Sequence, residues 1–198
     1  MKVIGFTGFA GSGKDTAALM LLRQRSGYQR AFADPMREVA RAVFGLTADQ
    51  MNDRVKKEQV VPYWGLSPRE ILQRIGTECV REVFGADTWV KCMALRLEML
   101  LADDALEPVG SDCVVFTDVR TDEEARFVRS KGGVVINVVR PGVGPVNDHV
   151  TDQGISAELV DFVLENNAGL DELDKAVKWG CDAWFDRAVD MCDLRRAA

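Results

Sequence analysis

The stretch Gly8 to Thr16, GFAGSGKDT, gathers three glycines, two hydroxyls, a lysine and an aspartate. Residues of these types at this spacing can hold a polyphosphate. Glycines let the backbone curl until successive N–H groups point at one spot with no Cβ in the way. A lysine then supplies a point charge to the outer phosphates. Gly8, Gly13 and Lys14 occupy three of the four fixed places of the Walker A pattern, G-x-x-x-x-G-K-[ST]. The fourth departs from it: Asp15 stands where a magnesium-holding Ser or Thr is expected, and the hydroxyl comes one residue later, at Thr16. The metal ligand is therefore open between Thr16, Asp15 through water, and the nucleotide itself.

Such a loop works only between a strand and a helix, because the helix N-terminus adds its positive end to the cradle. The apolar run Lys2 to Phe6 reads as that strand, and Ala17 to Arg23 as part of a helix that starts near Lys14. A second strand is expected over Gln29 to Ala33, followed by a helix with Asp34 as its cap and Pro35 in its first turn. Val39, Ala40, Val43 and Phe44 form the apolar side of that helix, which stops at Gly45. Asp34 thus reads both as a cap and as a group at a strand's carboxyl end, where α/β sheets bind ligands.

Residues 46–112 lack a clear strand and form a helical insertion between strands two and three. Ser67-Pro68-Arg69-Glu70 is a helix start with Ser cap and capping-box glutamate. The helix after it places Ile71, Leu72, Ile75, Cys79 and Val83 on one face. Glu70, Arg74, Thr77 and Arg81 lie on the other, with Gln73 at the border. By pattern alone that charged face is a solvated surface laced by i,i+4 pairs. The next helix, Trp89 to Leu101, carries a core-type tryptophan at its start.

Cys113 to Thr117 reads as a buried strand ending in Asp118-Val119-Arg120, and Asp118 sits where a magnesium-ordering aspartate is often kept. A capped helix begins at Thr121-Asp122-Glu123-Glu124 and runs to Lys131. Strand four is Val134 to Val139, closing with Arg140. Residues 141–158 contain several Gly and Pro and His149, and read as a short lid-like segment. Strand five follows at about Asp161 to Glu165, then a turn at Asn166 to Gly169 and a long final helix. Strands separated by helices imply a parallel sheet covered on both faces, in one α/β domain of 198 residues. Gly8, Asp34, Asp118 and Arg140 all fall at strand carboxyl ends.

Composition narrows the function. A net charge of −6 and a pI near 4.9 argue against a nucleic-acid-coating protein. The apolar runs are too short to span a membrane. Five cysteines, at positions 79, 92, 113, 181 and 192, show no zinc spacing and suit a reducing, cytoplasmic setting. One histidine excludes a His-based metal cluster.

The motifs GSGKDT, FADP, SPREILQRIGTE with DTWVK, DVR, VVRPG, HVTDQG and ENNAGLDEL follow one another along the chain. In this set and order they resemble the bacteriophage deoxynucleoside monophosphate kinases, a branch of the P-loop nucleotide kinases, over about Val3 to Val177. Thr151-Asp152 departs from the Ser-Glu more usual there. The resemblance implies sheet order 2-3-1-4-5 and magnesium-assisted phosphoryl transfer from ATP to a deoxynucleoside monophosphate in a host-cell cytoplasm. The loop Gly8, Gly11, Ser12, Gly13, Lys14, Asp15 and Thr16 would then take ATP. The insertion would take the monophosphate. Arg69 and Gln73 would hold its phosphate and base, with Trp89 against the base and Asp34, Arg74 and Thr77 nearby as further candidates. This reverses the solvated-face reading at Arg69 and Gln73.

Repulsion between two anions is the central difficulty of such a transfer, and an ionised phosphate acceptor needs no strong base. Lys14, Arg69, Arg120, Arg140 and Mg2+, the last held by Thr16 and Asp118 directly or through water, are the cations available to offset it. Arg140, before the Gly/Pro segment, is expected to close over the transferring phosphate. A kinase of the dephospho-coenzyme A kinase type, a non-catalytic nucleotide switch and a DNA-handling ATPase are the rival readings. The exposed helical faces leave a homodimer open.

Overall fold

Five parallel strands in the order β2-β3-β1-β4-β5 form the frame of the molecule. The computed structural model describes residues 1–106, 111–145 and 154–191, so His149, Thr151, Asp152 and Cys192 lie outside the described residues. The strands are β1 (Lys2–Thr7), β2 (Gly27–Arg30), β3 (Cys113–Val119), β4 (Val134–Val139) and β5 (Phe162–Glu165). The helices are α1 (Lys14–Leu22), α2 (Asp34–Phe44), α3 (Ala48–Asn52), α4 (Pro68–Gln73), α5 (Glu82–Phe84), α6 (Thr88–Leu106), α7 (Asp122–Ser130) and α8 (Leu170–Arg187). No helix among the described residues is long and apolar enough to cross a membrane.

The chain divides into two compact units, residues 1–31 with 100–198, and residues 32–99. The first is the sheet with its covering helices. Ile4 and Phe6 of β1, Val115 of β3 and Ile136 and Val138 of β4 pack with Ala17, Ala18 and Leu21 of α1 and Val177, Cys181 and Trp184 of α8. The Phe6 and Trp184 rings meet edge to face at 6.0 Å. On the opposite face, Phe116 meets Phe127 of α7 at 6.0 Å. Gly5 lies so close to Val128 that a Cβ there would sit 3.2 Å from its methyl. Alternating strand residues thus feed two helix layers, as sheets buried on both faces require.

The second unit is helical, built around Ala40, Leu46, Met51, Ile71, Leu72, Ile75 and Trp89. Ser67 and Thr47 each start a helix with a reciprocal capping box, the Ser67 N–H donating to Glu70 at 2.7 Å. That use of the Glu70 carboxylate holds its pKa below the ordinary range.

Several sequence expectations shift here. Strand two begins and ends earlier than Gln29 to Ala33. Asp34 is the first residue of α2, not its cap: Ala33 holds the capping position with no side-chain bond, and Pro35 follows Asp34 inside the first turn. Val39 and Val43 face out, at 39% and 62% exposure, while Pro35 and Ala40 are buried and Met36 and Phe44 pack on the core. β3 runs two residues further than Thr117, so Asp118 lies within the strand.

The helix after Ser67 changes winding. From Arg74 to Arg81 it is a π-helix, whose i→i+5 spacing moves the inward face by a residue each turn. Val80, five residues after Ile75, therefore packs on the core, and Cys79 and Val83 turn outward. The Trp89 indole N–H donates to the Gly76 carbonyl inside this segment at 2.9 Å.

Candidate functional site

The loop after β1 has the conformation a phosphate cradle needs. Gly8, Gly11 and Gly13 have φ of 134°, 90° and 101°, a region closed to most side chains. Space is as restrictive as angle: a Cβ on Gly8 would lie 2.4 Å from the Val138 carbonyl oxygen, and one on Gly13 2.5 Å from Asn166 Nδ2. Gly13 caps α1 without any side-chain bond, as a residue with no side chain must. The loop closes on itself through the Ser12 N–H, which donates to the Phe9 carbonyl at 3.0 Å.

Lys14 opens α1 and is 6% exposed. The Ser12 hydroxyl, in a residue 1% exposed, has no hydrogen-bond partner among the described residues. A buried hydroxyl in that state costs about 1–3 kcal/mol, so an acceptor or donor brought by a ligand would relieve it. Asp15 is exposed in the first turn of α1, where its charge suits the helix dipole, and Thr16 is half-buried.

The neighbouring strands bring further groups to the same sheet edge. Between the pairs Gly5↔Phe116 and Thr7↔Val119, β1 advances two residues and β3 three. Thr117 and Asp118 therefore stand opposite the single residue Phe6, in a β-bulge of the kind that re-aims side chains beside sites. Asp118 is 7% exposed. Arg120 follows β3, and its backbone N–H is fixed by the buried Glu124 carboxylate at 2.7 Å. The same carboxylate accepts from the Thr121 N–H in the capping box of α7. Arg140 follows β4, exposed, at the start of a turn in which the Val143 N–H donates to its carbonyl at 3.2 Å. Beyond that turn the chain is anchored again at Ser156, whose N–H and hydroxyl donate to Asp122 at 2.8 and 2.6 Å. Those bonds hold the Asp122 carboxyl below its usual pKa.

Asn166 was not among the sequence-derived candidates. It follows β5, is 8% exposed, and its side-chain amide donates to the Ser12 carbonyl at 2.8 Å. In the sequence it reads as part of a turn, and its position after a strand and within the motif ENNAGLDEL are the signals that set it apart. The sheet edge of the first unit thus gathers the glycine loop, Lys14, Asp118, Arg120 and Arg140, with Asn166 beneath the loop.

The remaining candidates belong to the second unit. Asp34 pairs with Arg37 at 3.2 Å. Arg69 forms an ion pair with Glu58. Gln73 and Arg74 are exposed where α4 passes into the π-helix, and Thr77 is half-buried within it. Trp89 is 6% exposed, its ring in the core and its N–H committed to Gly76. Arg96 of α6 chelates Glu38 of α2 with two bonds. Among the described residues no three His, Cys, Asp or Glu side chains gather as a metal cage.

A family model described as deoxynucleotide monophosphate kinase matches residues 49–177. A putative deoxynucleotide monophosphate kinase of Acanthamoeba polyphaga mimivirus is 32% identical over 177 residues, 87% of this chain and 92% of that protein. The deoxynucleotide monophosphate kinase of Enterobacteria phage T4 is 33% identical over 114 residues, 57% of this chain and 44% of that protein. That of Escherichia phage RB69 is 35% identical over 109 residues, 54% and 41% of the two chains. The matches to these two phage proteins thus span less than half of their length. Among solved structures, TT1252 from Thermus thermophilus aligns with a TM-score of 0.49 at 22% identity, covering 91% of this chain and 96% of that one. Shikimate kinase from Aquifex aeolicus aligns at 0.41 and 14%, with the same coverage. With the family model spanning more than half of the chain and the mimivirus relative aligned along nearly all of its length, the chain belongs to the deoxynucleotide monophosphate kinase family, a family of phosphotransferases.

Proposed function

We propose that this chain transfers the terminal phosphoryl group of ATP to a deoxynucleoside monophosphate, giving the diphosphate, with magnesium. The observation that carries this reading is the loop itself. Its three glycines take the left-handed conformations such a loop needs, its buried Ser12 hydroxyl lacks a partner among the described residues, and Lys14 opens a helix whose N-terminus has no side-chain cap.

In this reading the loop N–H groups and Lys14 bind the β- and γ-phosphates. Arg120 and Arg140 offset the charge that accumulates on the transferring group. Positioning and neutralisation supply most of what phosphoryl transfer requires, so no acid–base pair is needed. Magnesium fits the donor set as an ion held mainly by phosphate oxygens and completed by Thr16 or Asp118, the arrangement usual for Mg2+ with nucleotides. When bound, it neutralises phosphate charge. Recognition of the monophosphate falls to the second unit. Arg69 takes the phosphate after leaving Glu58, Gln73 reads the base, and Trp89 supports the base-side wall from within the core. Asp34, Arg74 and Thr77 are further contacts; the lid-like segment expected over residues 141–158 lies in part, at 146–153, outside the described residues.

An ATP-coupled assay over the four deoxynucleoside monophosphates, their ribo counterparts, dephospho-coenzyme A and phosphomevalonate tests the proposal. ADP release with at least one deoxynucleoside monophosphate, abolished by EDTA and by Lys14→Met, is expected. Turnover of dephospho-coenzyme A alone, or ATP binding with no turnover of any acceptor, would overturn it.

A further inference from the structure

We infer that Asn166 is a positioning residue for the phosphate loop, acting through the Ser12–Gly13 peptide to set the affinity for the phosphoryl donor. The inference rests on the proposed reading that this loop takes the donor's phosphates. The Asn166 amide donates to the Ser12 carbonyl at 2.8 Å. A trans peptide is planar, with its C=O and the following N–H pointing opposite ways. Holding the Ser12 carbonyl therefore fixes the direction of the Gly13 N–H, one of the donors a phosphate would meet. Without that tether a glycine-flanked peptide can rotate at little cost, because Gly13 tolerates either sign of φ.

Asn166 is itself firmly placed. Its backbone N–H donates to the Val139 carbonyl at 2.8 Å, locking the end of β5 to the end of β4. Its side chain lies against Gly13, where an added Cβ would come within 2.5 Å of Nδ2. Asn166 is buried, and a buried amide is expensive to leave without partners. Only the NH2 half of the group can satisfy a carbonyl, so the chemistry demands a donor at this position. An aspartate has the same shape and would turn an oxygen toward the Ser12 oxygen, adding a negative charge beneath a phosphate site.

The test is the pair Asn166→Asp and Asn166→Ala, with Lys14→Met as the control for the loop itself. Thermal melting, ATP affinity, deoxynucleoside monophosphate affinity measured without ATP, and the separate KM values are read for each. Asn166→Asp is expected to raise the KM and Kd for ATP about tenfold, the scale of one lost hydrogen bond plus repulsion. Asn166→Ala should raise them less, and acceptor affinity should stay within twofold of the original chain. Should Asn166→Asp fail to fold, Asn166→Ala decides. Donor constants within twofold of the original in the folded variants would overturn the inference, as would an equal loss for donor and acceptor accompanied by a lower melting temperature. If Lys14→Met also leaves ATP affinity intact, it is the loop reading that fails, not only the role of Asn166.

Discussion

Gly8 shows how much a single position can decide. Its φ of 134° and the Val138 carbonyl 2.4 Å from a would-be Cβ leave no direction in which a methyl fits, since the obstacle is backbone. Gly8→Ala should destabilise the chain by more than about 2 kcal/mol, read by urea or thermal unfolding. Asp122 is a residue whose effect depends on pH. Its carboxyl is held below the ordinary range first by the Ser156 N–H and then by the Ser156 hydroxyl. The unfolded chain therefore takes up this proton at a higher pH than the folded one. The stabilisation is fully present above about pH 4, near the unfolded carboxyl value, and is lost as pH falls through the folded value. Acid unfolding curves should show Asp122→Asn to be less stable at neutral pH, with a flatter loss of stability below about pH 4. The loop glycines and Lys14 were legible because their types and spacing are dictated by a backbone conformation. Asn166 was not, because an asparagine before Asn-Ala-Gly has a sufficient local explanation as a turn residue and its partner lies 154 residues away.

Among the elements, the helix from Pro68 to Phe84 departs furthest from expectation. Its start was readable, since Ser67, Pro68 and Glu70 each have a fixed place in a capped first turn. Its second half was not, because the apolar pattern carries no mark that distinguishes a period of 3.6 residues from the wider winding that begins at Arg74. Two tertiary contacts meet the wider turns: the Gly76 carbonyl accepts from the Trp89 indole, and Gly76 itself sits so close to Met36 that a Cβ would come within 2.8 Å of its sulfur. Trp89→Phe removes that N–H together with the pyrrole half of a buried ring, so it should cost about 1–3 kcal/mol in denaturant melts. If the variant is as stable as the original chain, the bond is not what holds the wider winding. Strand β2 and the start of α2 were misplaced for a milder reason. Proline is accepted at either of the first two helical positions, and Asp34 satisfies both the capping and the first-turn preference.

For the molecule as a whole, alternation of strand-like and helix-like segments was enough to read a parallel α/β sheet covered on both faces, because each strand must be buried on two sides. Strand order came instead from resemblance to a family, since nothing in local periodicity says which strand neighbours which. The observed order β2-β3-β1-β4-β5 agrees with it. The distribution of sulfur across this architecture has a practical outcome. Cys113, wholly buried in β3, has its thiol pushed up to about 12, chiefly by burial. Cys181 is likewise enclosed, while Cys79 stands exposed on the widened helix. A small alkylating reagent given to the native protein should therefore mark Cys79 within the time that leaves Cys113 and Cys181 untouched, as peptide mass mapping would register. Because those two sulfurs become reactive only when the sheet parts from its helices, their rate of modification is a clock for spontaneous opening of that core, built into the chain without any added label.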